Sequence, residues 1–73
     1  MRIEYDPVRD LLYIGFSEPG VKAAETKTVT PGVHADFDRA GKLIGIEVID
    51  AVEMVGKEVE FSLPKILAAA KQG

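Results

Sequence analysis

At 73 residues, with 47% hydrophobic and 29% charged residues and a formal net charge of −3, the chain has room for one domain near the lower limit of what a hydrophobic core sustains. It contains no cysteine, which excludes a disulfide framework, thiolate metal ligation and thiol nucleophiles and suits a reducing, cytoplasmic setting. MRIEYD puts acids where a signal peptide is apolar, no apolar run nears the roughly 20 residues of a membrane span, and the basic residues are scattered singly from Arg2 to Lys71; neither a membrane nor nucleic-acid binding by the monomer is expected.

Residues 2–5 alternate Arg2 and Glu4 with Ile3 and Tyr5, and residues 11–16 alternate Leu12, Ile14 and Phe16 with Leu11, Tyr13 and Gly15. Both read as strands. Between them Pro7 presets its φ near −65° and Asp6 is placed to accept backbone N–H groups, the chemistry of a type I turn. Asp6 and Asp10 are therefore read as turn and strand-end residues, not as paired carboxylates of an acid/base or metal site. Pro19-Gly20 has the order of a type II turn. Residues 21–30 form a long polar strand, with Ala24, Thr26 and Thr28 on one face and Ala23, Glu25, Lys27 and Val29 on the other. Its charge suits a sheet edge.

Pro31-Gly32 turns the chain again, and residues 33–37 alternate cleanly. Asp38-Arg39-Ala40-Gly41 has the form of a hairpin corner with Gly41 in the left-handed position. The next strand, LIGIEVI at 43–49, is apolar on both faces except at Glu47, which predicts a place in mid-sheet with a cover on each side. Asp50 and Glu53 then fit a capping box, and Gly56 is placed to end a short helix. After an extended stretch at 59–61, Ser62 is a candidate N-cap with Pro64 in the first turn. Leu63, Ile66, Leu67 and Ala70 follow at the spacing of one apolar helix stripe. The expected fold is α+β: a small meandering antiparallel sheet of four to five strands followed by one or two C-terminal helices. The whole chain, 1–73, reads as a single domain, with a sheet portion at 1–49 and a helical portion at 50–73.

The combination IEYDPVRDLLYIGF, then PGVHADFDRAGKLIGIEVIDA, resembles the prokaryotic domain-of-unknown-function family 2283 over about residues 1 to 52. The markers are Tyr5-Asp6-Pro7, Asp10 with Leu12-Tyr13-Ile14, Pro31-Gly32-Val33, Asp36 with Asp38, Gly41, and Gly45-Ile46-Glu47 leading to Asp50-Ala51. The resemblance implies a prokaryotic origin and members that look like antitoxin candidates beside a small toxin; it supplies no catalytic residues. His34 stands where the family pattern is usually apolar.

Three candidate sites emerge. His34, Asp36 and Asp38 share a strand face at steps of about 6.7 Å. With a four-residue hairpin loop His34 faces Glu47, and with a three-residue loop and a bulge at Gly41 it faces Ile46. Such a cluster offers a divalent cation nitrogen and carboxylate ligands, yet lacks a second convergent nitrogen. Ser17, Ser62 and the threonines have His34 as the one available imidazole, without the Gly-x-Ser-x-Gly context of an activated nucleophile, and the glycines form no phosphate loop. The third candidate is the sheet surface, because so short a chain has few elements with which to cover both sides.

The expected function is a non-enzymatic protein-binding module, the antitoxin-like member of a pair, with no catalytic, cofactor-binding or metal residues and no cofactor. The alternative is a small metal-dependent enzyme or metal sensor using His34, Asp36 and Glu47. The expected partners are a second copy, in a two-fold homodimer through a sheet face or through Leu63, Ile66 and Leu67 of the last helix, and a small basic protein.

Overall fold

The computed structural model describes residues 1–62 of the chain. Local turn chemistry sets its hairpins. β1 (Arg2–Asp6) and β2 (Leu11–Gly15) pair antiparallel, with Ile3 opposite Ile14 and Tyr5 opposite Leu12. In the reversal between them Asp6 Oδ1 accepts the N–H groups of Val8 at 2.9 Å and Arg9 at 3.2 Å, as the order Asp-Pro predicts. β3 (Glu25–Thr30), β4 (Val33–Phe37) and β5 (Leu43–Ile49) follow as two further hairpins. The first turns at Gly32, whose φ is 84°. At the second, Asp38 Oδ1 accepts the N–H groups of Ala40 and Lys42, each at 2.9 Å, while Gly41 takes the left-handed φ of 84°.

The five strands form one antiparallel sheet in the order β1-β2-β5-β4-β3. It is not a single meander: after β2 the chain crosses to the far edge and works back, so that β5 enters between β2 and β4. LIGIEVI thus holds the centre, the position with a strand on each side, as its apolar character predicts. β3 begins at Glu25, four residues later than the sequence pattern suggests, because its partner β4 ends at Phe37. Ala24 donates the last ladder bond to the Phe37 carbonyl at 2.8 Å.

Register and alternation divide the side chains between two faces. One carries Ile3, Tyr5, Leu12, Ile14, Ile46, Val48, Val33, Ala35 and Phe37. The other carries Arg2, Glu4, Tyr13, Glu47, His34, Asp36, Thr26 and Thr28, with Gly15 and Gly45 among them. β5 is therefore apolar on one side, and its other side is glycine and glutamate in mid-strand. Among the described residues the buried apolar ones are Ala35, Ile44, Val48 and Ala51, drawn from the central strands and the helix that follows.

That helix is α1 (Ala51–Val55), ended by Gly56 at φ 81°, whose N–H bonds the Val52 carbonyl at 2.9 Å. The expected capping box does not form. Asp50 is left-handed at φ 54° and its side chain caps nothing; its backbone carbonyl takes the N–H groups of Glu53 and Met54. The cap comes from a different strand. Leu11 lies opposite Ile49, so Asp10 sits at the start of α1. Its carbonyl accepts the Ala51 N–H at 3.0 Å, and its Oδ1 accepts the Val52 N–H at 3.1 Å and the Tyr5 hydroxyl at 2.7 Å. A tertiary acceptor thus replaces the local one. Residues 59–61 carry no strand, and the expected second helix with its Leu63, Ile66 and Leu67 stripe lies outside the described residues. Among the described residues no helix is long and apolar enough to cross a membrane.

Asp10 and Asp6 are both structural, and Asp10 carries more. Asp10→Ala removes two side-chain hydrogen bonds and places alanine at a positive φ, at a cost of roughly 2 kcal/mol, or about 10 °C in melting midpoint. Asp6→Ala should cost about 1 kcal/mol, and Asp10→Asn, which keeps an acceptor and tolerates the left-handed backbone, should cost less than Asp10→Ala. An Asp10→Ala midpoint no lower than that of Asp6→Ala would refute the capping role.

Candidate functional site

The ladder lines up side chains from all five strands on the polar face. One row runs Thr28, His34, Glu47, Tyr13, Glu4; the next runs Thr26, Asp36, Gly45, Gly15, Arg2. The two glycines leave a trough across the middle of the second row, and the Tyr13 ring lies in it. A Cβ on Gly45 would run into the Tyr13 hydroxyl and its ring, and one on Gly15 would lie 3.2 Å from Tyr13 Cε2. Gly45 thus leaves the space that the ring occupies, and Gly15 borders it closely.

Across the trough Tyr13 Oη donates to Asp36 Oδ2 at 3.5 Å, and Thr26 Oγ1 donates to Asp36 Oδ1 at 2.5 Å. Thr28 Oγ1 and His34 Nδ1 lie within hydrogen-bond distance at 3.0 Å. At the β1 edge Arg2 Nε pairs with Glu4 Oε1 at 2.6 Å. Burial raises the Tyr13 phenol above its ordinary value, the negative charges of Asp36 and Glu47 add to this, and Arg2 opposes it. Tyr13 is therefore a fixed hydrogen-bond donor at neutral pH.

The structure brings some of the sequence candidates together. His34 and Asp36 do share a face, and of the two registers open to His34 the one opposite Glu47 is formed. The ladder then slips by one residue beyond Asp36, so that Phe37 faces Leu43. Asp38 is not part of the face: its carboxylate is held in the hairpin corner by two backbone N–H groups. Among the described residues no group of three His, Asp or Glu side chains converges to hold an ion; Asp36 is turned to Thr26 and Tyr13, and His34 to Thr28. The Tyr13–Gly45–Asp36 arrangement had a signal in the sequence, glycine at the end of β2 and again inside β5, which the pattern of alternation alone did not convert into a contact.

The apolar face carries a different feature. Ile3, Leu12 and Ile14 floor a groove of about 690 Å³ walled by Val52 and Val55 of α1 and by Phe61. Its walls are wet: Val52 is 40% exposed and Phe61 65%. Lys57, Glu58 and Glu60 stand along the lining, so the groove pairs apolar surface with charge. Tyr5 ties its sheet side to its helix side, because the carboxylate that takes the Tyr5 hydroxyl also caps α1. That hydrogen bond, followed by desolvation and the charges of Asp10 and Asp6, raises the Tyr5 phenol above its ordinary value.

The model of a family described as "Protein of unknown function (DUF2283)" matches residues 2–51, from β1 to the first residue of α1. No curated protein and no solved structure matches the chain.

Both tyrosines should titrate above the ordinary value of 10.0. The sign follows from linkage: a phenol whose folded pKa is raised contributes stability that is complete below the unfolded value and lost as pH rises through the folded one. Ultraviolet titration should show ionisation delayed in the folded protein and normal in urea; an unshifted folded curve contradicts the packing of Tyr13. The trough is tested separately by a double-mutant cycle. Gly45→Ala should cost about 1–3 kcal/mol by overpacking beneath the ring, and in a Tyr13→Ala background the same change should be neutral or stabilising, because alanine then only relieves the entropy of a strand glycine. Additive costs would show that the ring does not occupy the trough.

Proposed function

The chain belongs to the DUF2283 family, so its function has to be read from its surfaces, and we propose that it is a non-enzymatic protein-binding module that takes an apolar segment of a partner protein into the groove between its sheet and α1. The observation that carries this reading is the groove itself: exposed Ile3, Val52, Val55 and Phe61 line one concavity. Exposed apolar surface gathered in this way is a binding surface in a soluble setting. The carboxylates most suggestive of chemistry serve other ends, with Asp6, Asp10 and Asp38 all bonded to backbone N–H groups.

Charge gives the partner its character. A chain of net charge −3, with Glu4, Glu47 and Asp36 on its polar face, steers a basic partner faster than an acidic one. We read the protein as the antitoxin-like member of a pair, working in the cytoplasm beside a small basic protein; the absence of cysteine supports that compartment.

Co-expression with the product of an adjacent small basic reading frame should give a complex that survives size-exclusion chromatography. Val52→Asp combined with Val55→Asp should weaken that complex at least about 30-fold, the scale of a central interface residue, while the chain alone still melts cooperatively. A complex indifferent to these substitutions would place binding elsewhere, and no complex with any adjacent basic product would overturn the antitoxin-like reading.

A further inference from the structure

The two edges of the sheet are treated differently. Natural edge strands are blunted by charge, polarity or a bulge; both edges carry charge, Glu25 and Lys27 on β3 and Arg2, Glu4 and Asp6 on β1, but β3 is also irregular, its ladder with β4 slipping between Thr28 and Thr30. β1 has an unbroken register with β2 from Arg2 to Asp6, and among the described residues it pairs with nothing else. Its apolar side is exposed, Ile3 at 40% and Tyr5 at 47%.

The backbone of that edge is also defined. Phe16 donates its N–H to the Ile44 carbonyl, so the even-numbered residues of β2 bond toward β5 and the odd-numbered ones, Leu11, Tyr13 and Gly15, bond toward β1. Their partners Asp6, Glu4 and Arg2 are therefore used inward. The N–H and C=O groups of Ile3 and Tyr5 point outward.

We propose that a second copy of the chain pairs antiparallel with this edge about a two-fold axis at Ile3, joining two sheets into one. Pairings that keep each face on its own side match odd residues with odd and even with even. In one, Ile3 meets its twin, Met1 meets Tyr5, and Arg2 lies opposite the partner's Glu4 twice over. In the next, shifted along the strand, Arg2 meets Asp6 but Glu4 meets Glu4. The first sets opposite charges at every charged pair and the second does not, and like charges directly opposite are destabilising. Arg2 and Glu4 are the inward-bonded residues, so across the new seam they form non-hydrogen-bonded pairs, the positions where side chains approach closest. The ion pair within one strand becomes a ring of four alternating charges. On the opposite face the two grooves meet, since Ile3 floors both.

The sequence placed self-association at a sheet face or the last helix; the edge strand is a different surface, and the inference stands apart from binding in the groove. Light scattering at micromolar concentration should give twice the chain mass of 7.9 kDa. Arg2→Glu sets four acids across the seam and should raise the dimer dissociation constant at least about tenfold, with a cooperative melt retained. Glu4→Lys makes the same break from the other side, so a folding defect in one variant leaves the test standing. The exchange Arg2→Glu with Glu4→Arg restores the alternation and should restore the dimer, whereas Thr26→Lys on the opposite edge should leave it unchanged. A monomeric parent with a cooperative melt overturns the proposal. So does a dimer untouched by the single charge changes or not recovered by the exchange.

Discussion

One carboxylate holds the parts of this small fold in register. Asp10 stands between the first hairpin and the helix, 42 positions from the amide it caps, and accepts from the Tyr5 hydroxyl with the same oxygen. An ionised acceptor bonded to two donors is stronger than a neutral one, and here it joins elements that share little buried area. The backbone at Asp10 is left-handed, φ 53°, a conformation that aspartate tolerates better than most residues. Without this link α1, five residues long, would lack the length to be helical by itself. The groove would then lose a wall.

The two faces of the sheet follow from a second constraint, which is where glycine is placed. Gly15 and Gly45 are neighbours across the β2–β5 seam, and the missing side chains let Tyr13 lie flat and reach Asp36 on the far side of β5. An antiparallel sheet can leave such a polar face to solvent. A single ring covers the middle of it, and the threonines of β3 satisfy the groups at its end. The polar face is thereby settled in its own hydrogen bonds, and the apolar side is the one with surface to spare.

What was legible in the sequence is what is decided within a few residues. The Asp6 turn, Gly32, the Asp38 corner with left-handed Gly41, and the end of α1 at Gly56 all stand where their residue types put them, because turn geometry depends on local sterics and on side chains that bond their own backbone. The centrality of LIGIEVI was legible from composition. The strand order was not, since it depends on which hairpin β5 joins, and a meander satisfies the same alternation. The capping box failed for a related reason: Asp50 and Glu53 have the right spacing, but a competing acceptor arrives from the other end of the chain, and no local pattern encodes it. The polar face was half legible. Alternation placed His34 and Asp36 together and left Glu47 as one of two partners, while the ring over Gly45 required knowing that β2 lies beside β5.

The order β1-β2-β5-β4-β3 also bears on how the chain folds. Each half is built from short-range hairpins, β1 with β2 and β3 through β5, which close quickly because little loop entropy is lost. The seam between them pairs Leu11 with Ile49 and Gly15 with Gly45, so it forms across a long loop and cannot begin until the last strand is available. Until then β2 and β5 are two apolar edges with unpaired backbone. Closure of this seam is the pairing of highest loop entropy in the sheet. The interval before it is when the chain is most open to joining a neighbour through the wrong strand.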